Sequence, residues 1–167
     1  DDQTHFMNHY VLDYNKELAS NFFPQSKEVI RFYEKYFGDY QWYEDGYKLI
    51  EVPYLGMEHQ SAVTYGNGFS MYNGVRSKSW PMYGVIDPLI IHETGHEWFG
   101  NSVTASDPTH IWIHEGLQVY SESIYFEDKF NSYEVGVHYL NSLKNRIVNE
   151  IPIVGNENEN HWALHGD

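Results

Sequence analysis

The sequence contains no cysteine, which excludes disulfide bonds and thiolate metal ligands. Basic residues are scarce: 10 Lys and Arg stand against 24 Asp and Glu, and the formal net charge is −14. Nucleic acids and anionic membrane surfaces are therefore unfavourable partners, and cationic ones are favoured. No apolar run approaches the roughly 20 residues of a membrane-spanning helix. The lack of cysteine leaves the compartment open, and a periplasmic or extracellular location is favoured over a cytoplasmic one.

Residues 92–96, His-Glu-Thr-Gly-His, are the most informative feature that is present. On a helix, His92 and His96 lie on one face, and Glu93 lies one residue round. Glu115 follows after the eighteen residues 97–114. Two histidines and a carboxylate are a standard ligand set for catalytic zinc, whose fourth position is left for water. The spacing therefore predicts one zinc ion per chain, with Glu93 as a general base, a pattern typical of metallopeptidases.

Three other His-x-x-x-His pairs serve as internal controls: His5 and His9, His110 and His114, and His161 and His165. None has glutamate directly after its first histidine. We interpret these histidines as surface or hydrogen-bonded side chains.

Capping residues and apolar spacing predict the elements around the motif. A helix with Ser26 as N-cap ends at Gly38, strands follow over 47–52 and 61–65, and residues 67–83 form a loop. The zinc helix begins at Asp87-Pro88 and stops near residues 100–101.

Two more helices follow the zinc motif. One spans residues 111–127 and carries Glu115 near its start. The other spans residues 133–148, is capped by Asn131 or Ser132, and precedes a tail over 155–167. The core candidates of the first are Trp112, Leu117, Val119, Tyr120 and Ile124, and helical spacing in the second relates Val137, Leu140, Leu143 and Ile147.

Upstream of the zinc motif lies Gly56-Met57-Glu58, within residues 52–66. With the zinc motif and Glu115 at its spacing, this segment resembles the aminopeptidase N family of gluzincin zinc peptidases, which includes leukotriene hydrolase. That family carries Gly-x-Met-Glu-Asn, then His-Glu-x-x-His, eighteen residues and Glu. The flanks agree too: Trp98-Phe99-Gly100-Asn101 follows the zinc motif, and Trp112-Ile113-His114-Glu115-Gly116 surrounds the third ligand.

The resemblance implies an α+β, thermolysin-like catalytic domain, with a small mixed sheet followed by active-site helices. Residues 1–167 would be one partial domain, lacking the family's N-terminal β-domain and C-terminal helical domain. The implied activity is that of a zinc aminopeptidase acting on peptides with a free N-terminus, which Glu58 would bind. The backbone of Gly56 and Met57 would contact an extended substrate.

Two residues are candidates for hydrogen bonds around the metal ligands. Glu122 lies seven residues after Glu115 on the same helical face, although a solvated position explains it equally well. Asn101 is the second candidate.

Two departures from the family pattern stand out. His59 replaces the usual Asn, which alters the contact beside Glu58 and leaves substrate preference open. The family's Tyr-x-Lys-Gly-Ala-like segment, which supplies a transition-state tyrosine, is absent, so we expect that tyrosine beyond Asp167 and weak activity for this chain. The alternatives are a zinc endopeptidase, an epoxide hydrolase and a non-catalytic zinc-stabilised module.

Overall fold

The computed structural model describes residues 6–66, 68–69, 86–148, 150 and 152–155. The predicted loop over 67–83 and the tail over 155–167 lie outside these residues except at positions 68, 69 and 155. The strands are β1 (Met7–Tyr10), β2 (Tyr47–Glu51), β3 (Gly56–Met57) and β4 (Val63–Tyr65). The α-helices are α1 (Lys16–Phe22), α2 (Gln25–Phe37), α3 (Pro88–Gly95), α4 (Glu115–Phe130) and α5 (Tyr133–Leu143), and short 3-10 helices span Asp13–Asn15, Pro108–Ile113 and Lys144–Arg146.

The four strands form one mixed sheet in the order β1-β2-β4-β3. β2 is parallel to both β1 and β4, whereas β3 pairs antiparallel with β4 and lies at the sheet edge. Tyr47 and Leu49 of β2 and all three residues of β4 are buried. Their side chains meet the helices that follow in the chain, so the sheet supports the helical layer that carries the predicted metal ligands.

Helix α2 begins at Gln25, with Pro24 in the N-cap position, so the prediction of Ser26 as N-cap was wrong. Ser26 is fully buried inside the first turn, where its hydroxyl donates to the Phe23 carbonyl at 2.6 Å. Pro24 already has helical φ, which lets the helix start without a side-chain cap. The predicted end is confirmed: Gly38 adopts φ +95°, a conformation that favours glycine.

Helix α3 begins as predicted, because the Asp87 carboxylate accepts from the Leu89 amide at 3.0 Å and Pro88 is the first helical residue. It packs against α2, α4, β3 and β4. Its α-helical part ends at Gly95, earlier than the predicted stop. Tighter turns follow, in which the Trp98 amide donates to the Gly95 carbonyl at 3.0 Å, until Gly100 redirects the chain with φ +139°.

Helix α4 starts four residues later than predicted, since residues 111–113 belong to the preceding 3-10 helix. The predicted core set was largely wrong: Ile124 packs against the core, but Tyr120 is 56% exposed, and Trp112, Leu117 and Val119 are only partly buried. The buried face instead carries Gln118, Ser121, Glu122, Ser123, Tyr125 and Phe126. Much of this face is polar because it hydrogen-bonds α2 and α3.

Helix α5 follows Ser132, one of the two predicted caps, and ends at Leu143 instead of residue 148. A 3-10 turn continues to Arg146. Gly136 and Tyr139 are its buried residues, whereas Ile147 is 70% exposed. None of the described helices combines the length and the hydropathy of a membrane span.

The contact between α3 and α4 depends on Gly95. A Cβ at this position would lie 2.1 Å from the Tyr33 hydroxyl oxygen and 2.2 Å from Gln118 Oε1. Both groups are buried and bonded to each other, since Gln118 Nε2 donates to the Tyr33 hydroxyl at 2.8 Å and to the Ile91 carbonyl at 3.1 Å. Any side chain at residue 95 therefore separates the two helices.

We predict that Gly95→Ala destabilises the protein by about 2 kcal/mol or more, because overpacking a close contact costs roughly 1–3 kcal/mol and here also breaks buried hydrogen bonds. The matched control is Gly116→Ala in α4, where a Cβ meets only the Trp112 Cβ at 3.7 Å. That change should be neutral or slightly stabilising. Urea unfolding measures both, and equal midpoints would contradict the packing account.

Candidate metal centre

His92, His96 and Glu115 meet where α3 approaches the start of α4. The two Nε2 atoms are 3.2 Å apart, and Glu115 Oε2 lies 3.4 Å from His92 Nε2 and 3.6 Å from His96 Nε2. His92 lies within α3, His96 caps it, and Glu115 is the first residue of α4. The structure thus brings together the three side chains that the spacing predicted as zinc ligands.

The other nitrogen of each imidazole has its own partner. His92 Nδ1 is 2.7 Å from Glu122 Oε1, and His96 Nδ1 is 2.8 Å from the Phe99 carbonyl oxygen. Because both partners are acceptors, each Nδ1 carries the donated hydrogen, and a neutral ring then presents its Nε2 lone pair to the centre. Two lone pairs and a carboxylate facing one another repel unless a cation lies between them. The donor set therefore fits zinc.

Glu122 in turn accepts a hydrogen bond from Tyr139, a fully buried residue of α5. The sequence predicted Glu122 from its helical position but gave no signal for Tyr139, which approaches from a different helix. The chain from Tyr139 through Glu122 to His92 fixes the orientation of one imidazole.

Glu93 lies beside this ligand set and packs against the sheet edge. A Cβ on Gly56 would lie 2.7 Å from Glu93 Oε1, so only glycine lets β3 come this close. Burial raises the pKa of Glu93 to about 7, an effect that the neighbouring imidazoles partly offset. A carboxyl group with this pKa can exchange protons near neutral pH.

Glu58 follows β3 and faces the same space. Its carboxylate, that of Glu93 and a His96 ring nitrogen lie within 4.8 Å of one another. Met57, on the edge strand, is 38% exposed, and His59 is exposed. Asn101, the second candidate for a bond around the ligands, donates instead to the Glu58 backbone carbonyl at 2.8 Å.

The charges of the site shift several pKa values. Burial opposes the protonation of His92 and His96, but hydrogen bonds to Glu115, and to Glu122 for His92, outweigh it and raise both pKa values. Burial alone would raise the pKa of Glu115, yet the two imidazoles lower it. Both imidazoles therefore bind a proton more tightly than a free histidine side chain does.

A cavity of about 280 Å³ opens beside the centre. Among the described residues that line it, Arg146 is the one arginine or lysine. The other lining residues are Leu55, Pro88, Leu89, His92, Glu93, Glu115, Val119, Glu122 and Tyr139. Two of the proposed metal ligands, His92 and Glu115, and Glu93 therefore face this cavity.

The control histidines do not join the centre where the structure describes them. His114 Nε2 accepts from the Ala105 amide at 2.9 Å, and His9 Nε2 lies 3.2 Å from the Ser26 hydroxyl. His110 belongs to no ligand group in the described residues. His5, His161 and His165 lie outside them.

Two histidines one helical turn apart, a carboxylate from the next helix and a buried glutamate beside them form the arrangement that is typical of gluzincin metallopeptidases. The Peptidase family M1 domain matches residues 22–156. The chain belongs to this family of peptidases. This membership confirms the resemblance inferred from the motifs.

Individual relatives agree with the family match. Endoplasmic reticulum aminopeptidase 2 of Homo sapiens is 31% identical over 140 residues, covering 77% of this chain and 14% of the human protein. Probable aminopeptidase 1 of Sulfurisphaera tokodaii is 26% identical over 118 residues, covering 69% of this chain and 15% of that protein. The chain therefore spans about a seventh of the length of these relatives.

The fold is shared with a solved structure, an M1 zinc metallopeptidase from Deinococcus radiodurans. The TM-score is 0.57 at 19% identity, with 78% of this chain and 26% of that chain covered. At this identity the likeness concerns the fold alone, and it confirms the predicted α+β class.

We predict that the stability of the metal-free protein falls as pH rises from about 5 to 8. The folded-state pKa values of Glu93, His92 and His96 are raised above their unfolded values, about 4.3 for glutamate and 6.5 for histidine. The stability that these groups contribute is present below the unfolded pKa values and is lost as pH rises through the folded-state pKa values. The lowered pKa of Glu115 contributes stability that is lost only in acid. Zinc affinity should rise over the same range, because zinc displaces these protons.

Urea unfolding with and without zinc at several pH values measures both effects. His96→Ala should weaken the pH dependence, whereas His110→Ala should leave it unchanged. Metal-free stability that increases from pH 5 to 8 would show that the imidazoles are not protonated in the folded state.

Proposed function

We propose that the enzyme to which this chain belongs is a zinc-dependent aminopeptidase that releases N-terminal residues from peptides. The observation that carries the proposal is the placement of Glu58 within 4.8 Å of both Glu93 and His96. This carboxylate faces the metal centre without a place among its three ligands. The aminopeptidase names of the relatives support the same reading.

His92, His96 and Glu115 would hold the ion. When bound, zinc supplies Lewis acidity, which polarises a scissile carbonyl and makes water a better nucleophile at neutral pH. The hydrogen bonds of Glu122 and of the Phe99 carbonyl keep both imidazoles in the tautomer that ligation needs.

Glu93 is the general base of this proposal. It lies next to the ligand set but is buried against Gly56, so its carboxylate is held beside the centre. It takes a proton from the attacking water and returns it to the leaving amine. The pKa of about 7 in the metal-free protein reflects the low polarity of its surroundings.

Glu58 would bind the α-ammonium group of the substrate. An ammonium beside the Glu58 carboxylate forms charge-assisted hydrogen bonds, whereas an acylated terminus leaves the Glu58 charge without a partner. This difference separates an aminopeptidase from an endopeptidase that has the same zinc ligands. The net charge of −14 favours the approach of such cations.

The edge strand β3 would align the substrate. Gly56 and Met57 pair on one side only with β4 in the described structure, which leaves the other edge of β3 to receive an extended peptide. In this arrangement the backbone of Gly56 and Met57 would pair with the substrate next to Glu58.

We predict that Glu93→Gln in the zinc-loaded enzyme keeps stoichiometric zinc and lowers kcat by about 10²-fold or more on aminoacyl amides, the usual effect of removing a general base. Glu127→Gln, at an exposed position of α4, is the matched control and should keep full activity. His96→Ala should lose both metal and activity. Normal turnover by a zinc-loaded Glu93→Gln enzyme would refute the assigned role.

A further inference from the structure

Two hydrogen bonds connect the segment after the second histidine to the segment that carries Glu58. Glu97 Oε1 accepts from the Ser61 amide at 2.7 Å, and Asn101 Nδ2 donates to the Glu58 carbonyl at 2.8 Å. Glu97 is 1% exposed. Without this acceptor the Ser61 amide would be left unsatisfied in a buried place, so the hydrogen bond is costly to lose.

The segment that these bonds hold is a tight turn. Ser61 adopts φ +58°, which is unfavourable for a residue with a side chain, and the Ala62 amide donates to the His59 carbonyl at 2.9 Å. A turn of this kind persists where its surroundings fix it. Glu97 binds Ser61, the third residue of the turn, and Asn101 binds Glu58, the residue just before the turn.

Glu97 and Asn101 are themselves fixed to the metal ligand His96. Asn101 donates its backbone amide to the His96 carbonyl at 2.9 Å, and the Ser102 amide donates to the Glu97 carbonyl at 3.1 Å. Glu97 directly follows the ligand His96 in the chain. Two short connections therefore fix the position of Glu58 relative to His96. One runs through Glu97, the residue after His96, and the other through Asn101, which is hydrogen-bonded to the His96 carbonyl.

We propose that Glu97 and Asn101 are positioning residues that hold the Glu58 carboxylate at a fixed distance from the metal ligands. This inference rests on the proposed function, in which Glu58 binds the substrate amino group. The fixed distance sets how much of a peptide fits between its amino group and the scissile carbonyl. Glu97 and Asn101 thus determine the selectivity for free amino termini and touch no reacting atom.

The test is the ratio of kcat/KM for an aminoacyl amide to that for its N-acetylated counterpart, in zinc-loaded enzymes. Glu97→Ala and Asn101→Asp should lower this ratio about tenfold or more, mainly through a higher KM for the free amine, as expected for a lost hydrogen bond to a charged or backbone group. Glu97→Gln keeps an acceptor oxygen at the same place and should preserve the ratio. Zinc content should be the same in all four proteins.

Hydrogen exchange supplies a readout that needs no activity. The Ser61 amide should exchange slowly in the parent protein and in Glu97→Gln, and at least tenfold faster in Glu97→Ala. If Glu97→Ala does not fold, Asn101→Asp tests the same connection at a partly exposed position.

The results distinguish a failure of the positioning role of Glu97 and Asn101 from a failure of the proposed aminopeptidase function. An unchanged free-to-acetylated ratio in Glu97→Ala and Asn101→Asp, with the parent selective, overturns the positioning role and leaves the proposed function intact. A parent enzyme without selectivity overturns the proposed function itself, whatever the exchange rates. Loss of kcat alone, with the ratio and KM unchanged, would mean that both residues serve only to stabilise the fold.

Discussion

The close approach of α3 and α4 at Gly95 is the constraint on which the metal centre depends. No side chain fits there, because Tyr33 and Gln118 fill the space and bond to each other. The contact sets the distance between the histidines of α3 and the glutamates of α4. The Nε2 atoms of His92 and His96 can then converge with the Glu115 carboxylate, while Glu122 accepts a hydrogen bond from His92 Nδ1. A glycine inside the motif is thus part of the geometry of the centre.

The histidine ligands could be predicted from the sequence because helical spacing alone brings His92 and His96 to one face. The helix start at Asp87-Pro88 and the helix end at Gly38 could be predicted because capping depends on the local residues. The core of α4 could not be predicted in this way. Gln118 and Ser121 resemble a solvated face in the sequence, yet they are buried because Tyr33 and the backbone of α3 supply hydrogen bonds. Polar burial depends on partners distant in sequence, which periodicity does not reveal.

The same limit applies around the centre. Tyr139 supports Glu122 from α5, and Gly56 admits Glu93 against the sheet edge, contacts that exist only once the helices and the sheet have packed. The cluster of carboxylates they create is costly without a cation. The pKa values of His92 and His96 are raised by hydrogen bonds to these carboxylates, which shows the same demand for positive charge. Zinc held by the three ligands and, in the proposed function, a substrate ammonium bound by Glu58 would both offset this negative charge.

X-ray absorption spectroscopy of the zinc-loaded protein tests the central claim most directly, because it counts imidazole ligands. A second possible donor group, Glu58, Glu93 and His96, shares only one histidine with the centre described above. The account predicts two imidazole nitrogens at about 2.0–2.1 Å, completed by oxygen ligands that include Glu115. A spectrum with a single imidazole and several carboxylate oxygens would contradict it, since zinc would then be bound by Glu58, where the account places the substrate amino group.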